Sequence, residues 1–124
     1  MNIFDLAAKP VEVELKHPMT GEGLNVKVKI VGKNSRQFKE RFYETVSAVS
    51  RLGKEVETGE RMKVAELNSI ELVAACIVGW DDNEFFGGEY TVERAKDIVS
   101  RPELAWVKSQ VEDAITEDSL FFIA

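Results

Sequence analysis

Residues 11–31 read VEVELKHPMTGEGLNVKVKIV. The first six alternate strictly, with Val11, Val13 and Leu15 facing one way and Glu12, Glu14 and Lys16 the other. A side-chain period of two belongs to a strand with one buried face. Leu24, Val26, Val28 and Ile30 repeat the pattern over 24–31. Pro18, Gly21 and Gly23 between the runs are turn residues, so the two strands form a hairpin. Its register follows from two demands. Apolar residues must share a face, so paired residue numbers must sum to an odd value. A sum of 41 sets Leu15 opposite Val26, Val13 opposite Val28 and Val11 opposite Ile30. The same register sets Glu14 beside Lys27 and Glu12 beside Lys29, both favourable cross-strand pairs. A sum of 39 spoils one of the charge pairs. A lone hairpin is marginal in water, so its apolar face needs a cover.

The cover lies downstream. Asn34 or Ser35 is the N-cap of a first helix, and Phe38, Phe42, Thr45, Val46, Val49 and Leu52 follow at helical spacing until Gly53. This predicts a helix over 35–52 with one apolar stripe, then a polar loop over 53–60. A second helix is expected over 62–78, starting somewhere in 60–65. Leu67, Ile70, Ala74 and Ile77 make one stripe, while Leu72, Val73, Cys76 and Val78 fill other angles. A helix apolar nearly all round is central and packed on several sides, and Gly79 is its stop. Thr91 caps a third helix over 92–99, with Glu93 in the first turn and Ala95, Ile98 and Val99 as its apolar residues. Ser100-Arg101-Pro102-Glu103 has the form of a capping box. It predicts a fourth helix over 101–117, striped by Leu104, Val107, Val111, Ala114 and Ile115. The expected fold class is therefore α+β: an N-terminal antiparallel β-hairpin (about 11–16 and 24–31) followed by about four α-helices. A single domain spans 1–124, with a hairpin segment at 1–31 and a helical segment at 34–124.

Composition agrees with an ordinary globular protein: 124 residues, 44% hydrophobic and 31% charged. The one cysteine, Cys76, excludes an internal disulfide and fits a reducing compartment. The start, Met1-Asn2-Ile3-Phe4-Asp5, lacks the basic and apolar regions of a secretory signal. The longest uncharged apolar run, Leu72 to Trp80, falls far short of the roughly 20 residues needed to span a bilayer, so no membrane partner is expected. The net charge of −6 is unevenly placed. Residues 31–63 carry eight bases and five acids; residues 64–124 carry thirteen acids and four bases. The acidic half repels phosphate, which argues against nucleic acid. The basic middle suits an acid-rich partner or a second copy's acidic half, or is simply a solvated helix face.

Chemistry has little to work with. The one histidine, His17, sits at the hairpin turn, and Cys76 lies in the most apolar stretch. No Cys/His set has zinc spacing, and no phosphate-binding glycine motif occurs. Asp82, Glu84, Gly87 and Glu93 match the first, third, sixth and twelfth positions of a calcium loop. Its fifth position, which must supply oxygen, is Phe86, and its eighth is Glu89. The expectation is a protein that is not an enzyme, with no catalytic residues, metal or cofactor.

The aromatic residues carry more information. Trp80, Phe85, Phe86 and Tyr90 crowd one short loop. They either fold back as a lid on the central helix or face a partner. Trp106 lies about 200° around its helix from Leu104 and about 100° from Val107, among Glu103, Gln110 and Asp113. It either packs a second surface or is exposed. Leu120, Phe121, Phe122 and Ile123 raise the same question, because four large apolar residues near a chain end want a partner.

The order over residues 67–122 resembles a known family. An apolar helix ends in Ile77-Val78-Gly79-Trp80, and a short acidic loop leads to Thr91-Val92-Glu93-Arg94-Ala95. Ile98-Val99, Pro102, Gln110-Val111, Ala114 and a terminal phenylalanine follow. This half of the chain resembles the tail assembly chaperones of long-tailed bacteriophages with non-contractile tails. The resemblance implies a non-catalytic protein of the host bacterial cytoplasm, absent from the mature virion. It implies binding to the tape measure protein, which the chaperone keeps soluble, and recruitment of the tail tube protein. It also implies a longer form of the same protein made by translational frameshift, of which this chain is the short form, and it leaves room for a homo-oligomer. The candidate partner-binding residues are Trp80, Phe85, Phe86, Trp106, Leu120, Phe121 and Phe122. The alternative is a structural head–tail connector or tail completion protein of the particle.

Overall fold

A computed structural model describes residues 2–50 and 58–122. Its elements, in chain order, are strand β1 (Val11–Lys16), strand β2 (Gly23–Ile30), helix α1 (Arg36–Ser50), helix α2 (Thr58–Cys76), strand β3 (Ile77–Trp80), helix α3 (Val92–Ser100) and helix α4 (Ala105–Ile115). Short 3-10 turns stand at Ile3–Leu6, Pro102–Leu104 and Asp118–Leu120. The fold is α+β, with a three-stranded antiparallel sheet ordered β1-β2-β3 and four α-helices.

The hairpin register matches expectation over most of its length: Val11 faces Ile30, Glu12 faces Lys29, Val13 faces Val28 and Glu14 faces Lys27. The expected Leu15–Val26 pair does not continue it. The register shifts there, and Lys16 lies opposite Gly23. Asn25 absorbs the extra residues with φ of 58°, a left-handed conformation that asparagine tolerates better than most. Leu15 and Val26 are still both buried.

The largest correction concerns the central helix. It begins at Thr58, earlier than expected, and ends at Cys76 instead of Val78. Ile77–Trp80 leaves the helix as β3 and pairs with β2, with Val28 opposite Trp80, Lys29 opposite Gly79 and Ile30 opposite Ile77. A short apolar run of this kind reads equally well as helix or strand. The open edge of β2 decides it, because pairing satisfies backbone groups that the edge leaves free. The Val31 N–H donates to the Cys76 carbonyl over 2.9 Å, fixing the helix end to the strand.

The helix starts divide. Ser35, not Asn34, caps α1: its Oγ accepts the Phe38 N–H at 3.1 Å, while Asn34 donates to Asp118 at 3.1 Å. Thr91 caps α3 as expected, its Oγ1 accepting from the Arg94 N–H at 3.0 Å. The capping box at Ser100 does not form. Ser100 is the last residue of α3, and its hydroxyl donates back to the Asp97 carbonyl at 2.8 Å. The fourth helix therefore opens with the Pro102–Leu104 turn and is α-helical only over Ala105–Ile115. Leu52, Gly53, most of the loop expected at 53–60, and Ile123 lie outside the described residues.

The inner face of the sheet (Leu15, Val26, Val28, Ile30) is covered by Val73, Ala74 and Cys76 of α2, Ala95 and Val99 of α3, and Val107, Val111, Ala114 and Ile115 of α4. Phe86 and Phe121 close this core from the loop and the C-terminal turn. Glu71 of α2 joins the helices outside it, meeting Lys96 of α3 at 2.8 Å and Arg41 of α1 at 3.6 Å. Among the described residues, no helix is long and apolar enough to cross a membrane.

Candidate functional site

The aromatic loop is mostly a lid. Phe86 is buried and stacks on Trp80, with ring centroids 4.5 Å apart and planes 17° apart. Tyr90 meets the indole edge-on at 5.2 Å. Both polar tips are satisfied. Trp80 Nε1 donates to the Gly88 carbonyl at 3.1 Å, and the Tyr90 hydroxyl donates to the Ile77 carbonyl at 2.7 Å. Burial, with Glu93 nearby, raises the Tyr90 phenol above its ordinary range and keeps it a donor. Gly87 and Gly88 have positive φ (83° and 149°), which lets the chain reverse tightly enough to bring Phe86 over Trp80. Asp82 shapes the same turn, its Oδ1 accepting the Phe85 N–H at 3.0 Å.

The expected contact residues therefore separate. Phe86 and Phe121 are core residues, and Trp80, Trp106 and Leu120 are half-buried against that core. Phe85 and Phe122 stay exposed. Trp106, expected to pack a second surface or stand exposed, packs half-buried against this same core. Phe121 lies over Gly32, and its carbonyl accepts the Lys9 N–H at 3.0 Å.

The open apolar surface lies elsewhere. Helix α1 packs mainly on α2, along Phe38 and the side facing Asn68, whose amide donates to the Thr45 carbonyl at 3.4 Å. Its stripe is only half covered, leaving Phe42 45% and Val46 47% exposed. A groove of about 500 Å³ results. Its walls are α1 (Phe38, Phe42, Val46) and the end of α4 with its C-cap (Glu112, Ile115, Thr116), and its floor is α2 (Ala65, Asn68, Leu72). The volume falls in the ordinary range of binding clefts, and the lining is mainly apolar with a few polar residues, Asn68 and Ser69 among them. Lys33 meets Asp118 at 3.4 Å, and together with the Asn34–Asp118 bond this ties the start of α1 to the turn after α4. The groove is thus bridged at its Phe38 end.

Sequence reasoning named the α1 stripe but assigned it to packing. The signal was present, since Phe42, Thr45 and Val46 stand among Lys39, Arg41 and Glu44 in the strongly charged segment 31–63. What periodicity does not say is which neighbour covers a stripe, or whether any does.

Cys76 is fully buried, and burial pushes its thiol up to about 12, far from a reactive thiolate. Among the described residues, no group of three or more His, Cys, Asp or Glu side chains could hold a metal ion. What the groove can do is take up apolar side chains. Comparison with protein-family models, curated proteins and solved structures finds no match to this chain.

Proposed function

We propose that this protein is a non-catalytic tail assembly chaperone of a long-tailed bacteriophage, holding the tape measure protein soluble and promoting tail tube assembly in the host cytoplasm. The observation that carries the reading is the half-covered stripe of α1, open beside α2 and α4. A long helical client exposes apolar stripes that aggregate in water. A groove between helices accepts such a stripe in helix-in-groove fashion. Completing the burial of Phe42 and Val46 contributes up to roughly 1 kcal/mol each, half of what a fully exposed side chain gains. The acidic half of the chain, residues 64–124, supplies the surface charge that keeps a loaded holder in solution. The longer frameshifted form and the tail tube protein are further partners on this reading.

Co-expression tests it. With this protein present, the tape measure chain is expected in the soluble fraction and co-purifying; with Phe42→Asp it is expected in the pellet, while the variant itself remains folded. A client that stays insoluble beside the wild-type protein overturns the proposal. Recovery of the protein from purified virions favours the structural connector instead.

A further inference from the structure

The chain leaves a second apolar feature uncovered besides the groove. Ile3–Leu6 form a short 3-10 turn, closed by the Ala7 N–H, which donates to the Phe4 carbonyl at 3.3 Å. The turn holds Ile3 78%, Phe4 76% and Leu6 60% exposed. None of the three belongs to the core, which first meets this segment at Ala8. Three large apolar side chains so close together in water are a contact patch. The segment joins the body where the Lys9 N–H meets the Phe121 carbonyl at 3.0 Å, and Phe121 lies over Gly32, just ahead of α1. Its root therefore stands near the bridged end of the groove. Yet Phe42 and Val46 of the same chain are half exposed, so the segment does not fill its own groove.

Surface area points to a second copy. The chain exposes 8483 Å². A compact monomer of 13.9 kDa exposes about 6,700 Å². The excess of about 1,800 Å² is more than the roughly 800 Å² that each partner buries in a stable complex. The lengths also agree. From Lys9 to Ile3 the chain reaches up to about 20 Å, and the α1 wall from Phe38 to Val46 runs about 12 Å.

We propose that the segment Ile3–Leu6 of one copy lies in the groove of a second copy, its three apolar side chains over α2 between α1 and α4, and that the exchange is reciprocal. Each copy gives one segment and receives one, so assembly closes at a two-fold dimer. The inference stands on the groove and the segment and needs no client. The contact is apolar, because Glu112, the one charged residue of the lining, already meets Lys108 at 3.5 Å. Its strength is therefore little weakened by salt.

Sedimentation and crosslinking of the full chain test this. The wild-type protein is expected to be a dimer at micromolar concentration and to remain one at raised salt. Phe4→Asp on the exposed turn and Val46→Asp on the groove wall are each expected to weaken the dimer by at least about tenfold, with an unchanged circular dichroism spectrum. A preparation carrying Ala7→Cys, mixed with another carrying Thr45→Cys and treated with a short bismaleimide, is expected to join as a heterodimer; buried Cys76 does not compete. Adding Phe4→Asp to the first preparation is expected to abolish the product. A monomer at every concentration, a dimer indifferent to Phe4→Asp, or a dimer lost in salt overturns the proposal. A monomeric chain carrying both cysteines that crosslinks internally places the segment in its own groove and likewise overturns it.

Discussion

Gln110 on α4 holds Lys16 at the end of β1 through two hydrogen bonds: its Nε2 donates to the Lys16 carbonyl at 2.8 Å, and its Oε1 accepts the Lys16 N–H at 2.9 Å. A side-chain amide here takes the place of a neighbouring strand. It satisfies both backbone groups of one residue on the edge strand of the sheet. It also fixes α4 against the hairpin, and α4 is one wall of the groove.

Gln110→Ala is expected to cost about 1–2 kcal/mol, because both bonds are exposed and water replaces part of each. Gln110→Glu is not expected to rescue, since a carboxylate cannot donate to the Lys16 carbonyl. Thermal melts and faster hydrogen exchange at the Lys16 amide check the prediction. A Gln110→Ala protein with unchanged exchange at Lys16 would contradict it.

The adjacent phenylalanines are expected to behave differently. Phe86→Ala removes a buried ring stacked on Trp80 and is expected to cost about 3–4 kcal/mol. Phe85→Ala loses an exposed ring that meets Phe86 edge-on at 5.0 Å, and is expected to cost about 1 kcal/mol or less. Denaturant titrations of the two variants, read by tryptophan fluorescence, separate them; equal losses would place Phe85 in the core.

Gly32 is required by close approach. A Cβ there would lie 2.7 Å from two ring carbons of Phe121. Gly32→Ala is expected to destabilise by about 1–3 kcal/mol. Combined with Phe121→Ala, its cost is expected to shrink, because the clash and its partner vanish together. A double-mutant cycle measures the coupling, and strict additivity would refute it.

Cys76 predicts a pH dependence. Its thiol ionises near 9.0 when unfolded and is pushed to about 12 by burial in the fold. A group whose folded value is raised contributes stability that is complete below the unfolded value and is lost as pH climbs toward the folded one. Stability is therefore expected to fall between about pH 9 and 12, by at most about 1.4 kcal/mol per pH unit from this group. Comparing that slope with the slope for Cys76→Ala isolates the thiol's share. In the native protein at neutral pH, Cys76 is also expected to resist thiol reagents until the chain unfolds; rapid native-state labelling would refute its burial.

Much of the fold was legible residue by residue. Alternation and charge pairing named four of the hairpin pairs, and Thr91 announced the start of α3. Ser100 misled because a capping-box pattern describes a local option, and the preceding helix took up its hydroxyl first. The candidate site was harder to read. The loop aromatics drew attention by their density, yet Trp80, Phe86 and Tyr90 use one another as partners. Phe42 and Val46 stand inside a regular stripe, and its charged neighbours were the one hint, because periodicity does not say whether a stripe is covered.

On its own, the chain's order of residues settled the hairpin, the sequence of helices and the position of the hydrophobic core, because side-chain period and turn chemistry act over a few neighbours. Two matters were decided only by the assembled fold. Ile77–Trp80 became a strand because β2 offered an edge, and α1 kept an open flank because α4 docks against the sheet and reaches only part of it. Both depend on which distant surface arrives beside a segment, and no local pattern carries that information.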